Sequence, residues 1–227
     1  MSGTIPETRA DATYRAFLNA LLEGDRRAAY AVTDAAHNEG LSLDEVYLLV
    51  FQRALREVGR LWQQNKISVA DEHLATQITQ AAMTRLYDQV FEWRPGAGHT
   101  IIAACADIER HEIGLRMLCD LLEMEGWVTT YLGGSVPTES LVAMVQHRRP
   151  TAVALSTALS AHLPRLQAMI RAIRDAMGNE QPLILAGGRP FVDNPDLATR
   201  LGADLTARDA TTAVALLRER VQKAREL

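Results

Sequence analysis

Cysteine is scarce in this chain, with only Cys105 and Cys119 among 227 residues. Their separation fits neither a CxxC zinc site nor a redox pair, and two thiols do not make a disulfide framework in a chain of this size. Buried apolar filling is their expected role. Positive charge is not in excess either. Lysine plus arginine number 24 against 28 aspartates and glutamates, a net charge of -4. The protein therefore lacks the electropositive field that drives non-specific phosphate binding, and no direct DNA binding is expected. No apolar run approaches the roughly 20 residues needed to cross a bilayer. The opening stretch MSGTIPETRADATYR has no apolar core of a signal peptide. These absences point to a cytoplasmic protein with no membrane contact. Internal repeats and low-complexity segments are missing as well. What is present is a globular balance, 48% hydrophobic and 23% charged, which excludes wholesale disorder. The length suits one large domain or two ordinary ones.

Periodicity favours two. From Ala12 to about Trp93 apolar residues recur at three and four positions, as in Phe17 and Leu21, Val46, Leu49 and Val50, and Leu74, Ile78, Met83 and Leu86. Breaks fall at Gly24-Asp25, Asn38-Glu39-Gly40 and Gln64-Asn65-Lys66, and Ser42 with Glu45 reads as a capping box. A bundle of four or five helices is expected over residues 8–94. Pro95-Gly96-Ala97-Gly98 then stops the helical pattern and serves as linker.

From residue 99 to 227 the period changes. Short apolar runs at 100–106, 127–132, 151–155 and 183–186 alternate with helical stretches, with a weaker fifth run at 203–206. Strands separated by single helices require right-handed crossovers and a parallel sheet covered on both faces. The fold class expected is α/β, an N-terminal helical cap followed by a doubly wound, flavodoxin-like domain.

In an open α/β sheet, ligands bind beyond the carboxyl ends of the strands, so the residues that follow each run matter most. After the first run stand Asp107, Glu109, His111, Glu112 and Gly114. A histidine on such a loop can ligate a metal through one ring nitrogen when a carboxylate takes the N–H of the other. The plain alternative is a solvated histidine paired with acidic neighbours. After the third run comes a small hydroxylated stretch from Ser156 to Ser160, and after the fourth come Gly187 and Gly188. Glycines there let the backbone approach a bulky group, although a paired glycine also serves ordinary turns.

The order of these features resembles the cobalamin-binding domain shared by methionine synthase, corrinoid proteins and B12-dependent mutases, with its DxHxxG, SxL and GG fingerprint. Glu109, His111 and Gly114 match the first element, with glutamate in place of aspartate, over a resemblance running from about His99 to the end. It implies that His111 displaces the nucleotide-tail base and ligates cobalt from below. Ser156 then lies near the displaced base, and Gly187 and Gly188 leave room for the tail. Ser156 is followed two places on by Ala158 rather than leucine.

In the first half, Trp62 followed after nine residues by Glu72 and His73 resembles the Wx9EH motif of cobalamin-dependent light sensors related to carotenoid-gene repressors. That subfamily also uses ExHxxG. The resemblance implies adenosylcobalamin as cofactor, with Trp62 over the upper corrin face and Glu72 and His73 holding the adenosyl group. An aromatic plane suits a large apolar ligand and a Glu-His pair offers hydrogen bonds. A core tryptophan beside an exposed helix start is the plain alternative. Gln63 follows Trp62 where relatives that gain a second protein ligand on cobalt carry histidine, and an amide is the poorer ligand. After light, water or His73 is then expected at that position.

His37, His99, His147 and His162 are expected in solvated or structural roles. Arg148-Arg149 ends a helix, where the dipole favours positive charge. The leading functional expectation is a light sensor, not an enzyme, signalling through a transcription regulator, another partner protein or a change of oligomeric state. The alternative is a corrinoid methyl carrier serving a methyltransferase. A cofactor-free response module lacks support, because the aspartate pair and lysine of phosphoreceivers are missing.

Overall fold

The computed structural model describes residues 8–91 and 98–225, without the side chains of 89, 90, 224 and 225. The chain divides into two compact units, one ending at Phe91 and the other beginning at Glu92. Of the expected linker, Pro95 to Ala97 lie outside the described residues, as do Trp93 and the limit set at 94.

The first unit is helical. It comprises α1 (Arg9–Leu22), α2 (Arg26–Asn38), α3 (Leu43–Glu45), α4 (Gln52–Gln63) and α5 (Val69–Val90). Its helix starts carry the caps their sequences suggest. Thr8 with Asp11 and Ser68 with Asp71 form reciprocal capping boxes, and the Ser42 N–H donates to the Glu45 carboxylate at 2.9 Å. The expected breaks fall at helix ends, Asn38 closing α2 and the other residues lying between helices, with Gly24, Gly40 and Asn65 at positive φ. Phe17, Tyr47, Phe51, Ile78, Met83 and Leu86 are fully buried, and the Phe17 and Phe51 rings meet at 4.6 Å between centroids.

Two apolar residues depart from the periodic reading. Between α3 and α4 the chain runs without a break through a π-helical stretch, Val46–Phe51, in which the Gln52 N–H bonds the Tyr47 carbonyl. The wider turn carries Val46, Tyr47, Val50 and Phe51 inward and leaves Leu49 45% exposed. Leu74, near the start of α5, is 43% exposed; its methyl lies 3.0 Å from where a Cβ on Gly24 would stand.

The second unit is a parallel sheet with helices on both faces. Its elements are β1 (Thr100–Cys105), α6 (Ile113–Met124), β2 (Val128–Gly133), α7 (Thr138–Arg148), β3 (Ala152–Ser156), α8 (Leu163–Met177), β4 (Leu183–Gly187), α9 (Arg189–Asp193), α10 (Leu197–Leu201) and α11 (Ala210–Arg225). The strand order is β2-β1-β3-β4, with every pairing parallel. The order reverses direction between β1 and β3, so the crevice beyond their carboxyl ends is the natural ligand position. On one face Ile102, Val153, Leu155 and Ile184 join a core with Leu141 and Val145 of α7 and Leu166, Met169 and Ile170 of α8. On the other, α6 packs against β1, β2 and α11.

The fifth run does not become a strand. It makes one bridge, Leu185 to Leu205. The cause is Asp204, whose carboxylate accepts the Ile184 N–H at 2.7 Å and so takes a donor that a backbone carbonyl would need to extend the ladder. Cys105 and Cys119 are buried. Burial pushes the Cys105 thiol up to about 12, with Glu109 and Glu112 adding to the shift, which makes it inert as a nucleophile. Among the described residues no helix is long and apolar enough to cross a membrane.

Candidate cofactor site at the carboxyl ends of the strands

The loop between β1 and α6 turns around a carboxylate. Glu109 is fully buried, a position that costs several kcal/mol for an ionised group unless its lone pairs are satisfied. They are. Oε1 accepts the backbone N–H groups of Arg110 at 2.9 Å and His111 at 3.0 Å, together with Nδ1 of the His111 ring. Oε2 accepts the Thr157 hydroxyl at 3.0 Å, the Ala158 N–H at 2.9 Å and Nδ1 of His162 at 3.0 Å. Burial alone would raise this carboxyl, but the bonds from the His111 ring and backbone, from Ala158 and from His162 outweigh it. They hold Glu109 far below its ordinary 4.5.

An ionised carboxylate only accepts, so Nδ1 of His111 carries hydrogen, and in the neutral ring the lone pair is then on Nε2. The His111 side chain is 54% exposed while its carboxylate partner is buried. An imidazole held at one nitrogen by a carboxylate is the arrangement that makes a histidine a basic, oriented metal ligand. The site fits a large cofactor in a second respect. A Cβ on Gly187 or on Gly114 would meet nothing within 4 Å, which leaves open space beside the end of β4 and at the start of α6.

Gly188 has a different task. Its φ is 108°, and a Cβ there would stand 1.9 Å from the Thr157 carbonyl oxygen. Only glycine permits this approach, and it brings the chain after β4 against the loop after β3. The Thr157 N–H in turn bonds the Gly187 carbonyl at 3.1 Å. The hydroxyl that reaches Glu109 therefore belongs to Thr157, not to Ser156, which ends β3 paired with Gly187. Thr157-Ala158-Leu159 carries a leucine two places after this hydroxyl.

His162 has a structural role, and the glycines after β2 add to the site without having been singled out in the sequence. His162 binds Glu109 with its side chain 17% exposed. Gly133 and Gly134, after β2, wrap the histidine loop: the Gly134 N–H donates to Glu112 at 2.7 Å and the Ser135 N–H to the Glu109 carbonyl at 3.0 Å. A second Gly-Gly at a strand end was the signal available.

In the helical unit, Trp62 lies in the last turn of α4 and is 42% exposed, so the reading of it as a core residue does not hold. Glu72 and His73 lie at the start of α5, where Nδ1 of His73 meets the Glu72 carboxylate at 2.6 Å. Val69 and Leu74 are exposed on the same stretch.

Two family profiles, each described as a B12 binding domain, match residues 13–87 and 99–218. The chain belongs to the B12-binding family. It is 31% identical over 173 residues to the HTH-type transcriptional repressor CarH of Myxococcus xanthus, covering 71% of this chain and 57% of that one. It thus spans little more than half the repressor's length. It is 21% identical over 202 residues to trimethylamine corrinoid protein 1 of Methanosarcina acetivorans, covering 88% of this chain and 93% of that one. The monomethylamine corrinoid protein of Methanosarcina barkeri superposes with a TM-score of 0.79 at 15% identity, over 92% of this chain and 98% of that chain. That likeness shows the fold, a helical cap followed by a Rossmann-like B12-binding domain.

Glu109 offers a direct check on the electrostatics. Glu109→Gln places an amide NH2 against backbone N–H groups, of Arg110 and His111 on one side or Ala158 on the other, that cannot become acceptors, and is expected to cost about 2–4 kcal/mol near neutral pH. A carboxyl lowered on folding contributes stability that is complete above 4.5 and is lost as pH falls toward the folded value. The gap between wild type and variant should therefore narrow below pH 4.5 in urea unfolding series; a gap that widens there would contradict an ionised Glu109.

Proposed function

We propose that the chain is a cobalamin-binding light sensor that takes adenosylcobalamin as chromophore and is not itself an enzyme. When bound, the cofactor supplies the cobalt–carbon bond that light breaks. The observation that carries the reading is His111, fixed at Nδ1 by buried Glu109 within an ExHxxG loop at the switch point of the sheet. His111 would offer Nε2 to cobalt, its ring held by Glu109, which Thr157 in turn holds. Gly114 and Gly187 keep space beside it, Gly188 seats Thr157, and Ser156 stands at the end of β3 near the tail base.

Trp62, Glu72 and His73 act on the upper side, the indole as an apolar plane and the Glu-His pair as hydrogen-bond partners of the adenosyl group. Trp62 exposed at the end of α4 supports a ligand-facing task. Gln63 beside it would be a weak cobalt ligand, so a second protein ligand, if any, would have to come from His73. The output passes through a partner such as a transcription regulator, or through a change in oligomeric state. Likeness to a repressor supports the first route.

A second reading, a corrinoid methyl carrier for a methyltransferase, draws on the fold match and on alignment along 93% of a trimethylamine corrinoid protein. Glutamate at 109 and the spacing from Trp62 to His73 favour the sensor. Loading apoprotein with adenosylcobalamin in the dark, then illuminating, separates the two. A histidine-ligated spectrum that changes with light and shifts the elution volume supports the sensor. Tight binding without that response, plus methyl transfer on adding a methyltransferase, supports the carrier.

Trp62→Ala should leave the fold intact at a cost of about 1–2 kcal/mol, because the residue is 42% exposed, while changing photolysis rate and light-dependent assembly. Photolysis and assembly both at wild-type values would remove Trp62 from the site.

A further inference from the structure

Two imidazoles, not one, converge on the Glu109 carboxylate. Nδ1 of His162 lies 3.0 Å from Oε2, while the His111 ring engages Oε1. We propose that His162 is a positioning residue for His111, acting through Glu109. Its N–H anchors Oε2, so that Oε1 stays in the plane and orientation that hold the His111 ring.

Several observations support an anchoring task. The His162 side chain is 17% exposed, against 54% for His111, so it is built into the protein. Its backbone is fixed as well: it ends the short 3-10 turn Ser160–His162, its N–H donates to the Leu159 carbonyl at 3.0 Å, and Pro164 follows in the first turn of α8. Oε2 also receives Thr157 and Ala158 from the end of β3. With His162 entering from the start of α8, two separate elements hold one oxygen. A glutamate has one more side-chain torsion than an aspartate, so its carboxylate needs an additional restraint to be held as firmly. Because Glu109 is ionised, Nδ1 of His162 carries hydrogen, and the same holds for His111.

The effect on metal ligation rests on the reading of His111 as the lower cobalt ligand; the hydrogen-bond geometry does not. Outer partners of ligating histidines typically contribute 10–100-fold to affinity. Removal of this more distant anchor is expected to lower cobalamin affinity about tenfold, at the bottom of that range.

The test compares wild type with His162→Leu, which removes the donor, and His162→Asn, whose amide nitrogen falls near the position of Nδ1. His162→Gln, with its amide nearer the position of Nε2, keeps the loss arm open should the leucine variant fail to fold. The first readout is the ring 15N spectrum of His111 in apoprotein; the second is the Kd for hydroxocobalamin. We expect a dominant Nδ1–H tautomer in wild type, a mixed tautomer with about tenfold weaker binding in the leucine variant, and recovery of both in the asparagine variant. A leucine variant that keeps the tautomer and the affinity would overturn the proposal. So would an asparagine variant as impaired as leucine, since the effect would then come from ring volume. If the tautomer responds as expected but no protein gives a histidine-ligated cobalt spectrum, the positioning role stands and the cofactor reading fails.

Discussion

His111→Ala is expected to abolish the histidine-ligated spectrum of bound cobalamin and to weaken binding by at least about 100-fold, the upper end of what outer partners alone contribute. The fold should survive. The side chain is half exposed, and Glu109 keeps its bonds from the Arg110 and His111 backbone and from Thr157, Ala158 and His162. The hydrogen bond from the ring to the charged Glu109 is lost, a cost of about 1.5–3 kcal/mol. Visible spectroscopy and equilibrium dialysis report the first effect, and urea unfolding the second. A variant that unfolds outright would mean that the loop, not the ligand, was being tested. An unchanged spectrum would mean that His111 does not touch the cofactor.

Gly188→Ala should be the most damaging single change to stability among these sites. The new methyl would stand 1.9 Å from a backbone oxygen at a φ of 108°, so no side-chain rotation relieves it. The backbone strain alone is about 1–3 kcal/mol, and the displaced loop also disturbs the bonds that Thr157 and Ala158 make to buried Glu109. A loss above about 4 kcal/mol is expected, in the range reserved for broken buried networks and backbone clashes. Gly187→Ala is the control. Its added methyl meets nothing within 4 Å, so the fold should tolerate it, while cobalamin affinity falls if the space beside β4 receives the nucleotide tail. Equal destabilisation by the two variants, read from urea midpoints, would contradict the distinct tasks assigned to these neighbours.

Much of the architecture was legible because burial imposes periods on the chain. Runs such as 100–106 and 183–186 announced parallel strands, and β1 and β4 lie within them to a residue. Leu49 was misplaced because a π-helical turn changes the period locally, and no residue type marks such a turn in advance. The run at 203–206 looked like a strand by its apolar residues, yet the Asp204 side chain captured a ladder donor, an outcome decided by three-dimensional placement.

In the site, Glu109 and His111 stood out because the chemistry needs both in one short loop. Thr157 and His162 did not, because their partner lies 48 and 53 residues away in sequence. Ser156 and Thr157 are adjacent hydroxyls, and only the reversal of side-chain direction along a strand end decides which one reaches the carboxylate. Gly188 was read as room for a ligand, whereas its first duty is to the Thr157 carbonyl.

The central claim is that an imidazole of this chain binds cobalt. Its most direct measurement is the electron paramagnetic resonance spectrum of the Co(II) form loaded into protein whose histidines alone carry 15N. Superhyperfine doublets are expected, because a spin-half nitrogen from His111 would be bound to the metal, and they should disappear in His111→Ala. Triplets persisting in the labelled protein would mean that the cofactor's own unlabelled base remains on the metal, and would contradict the account.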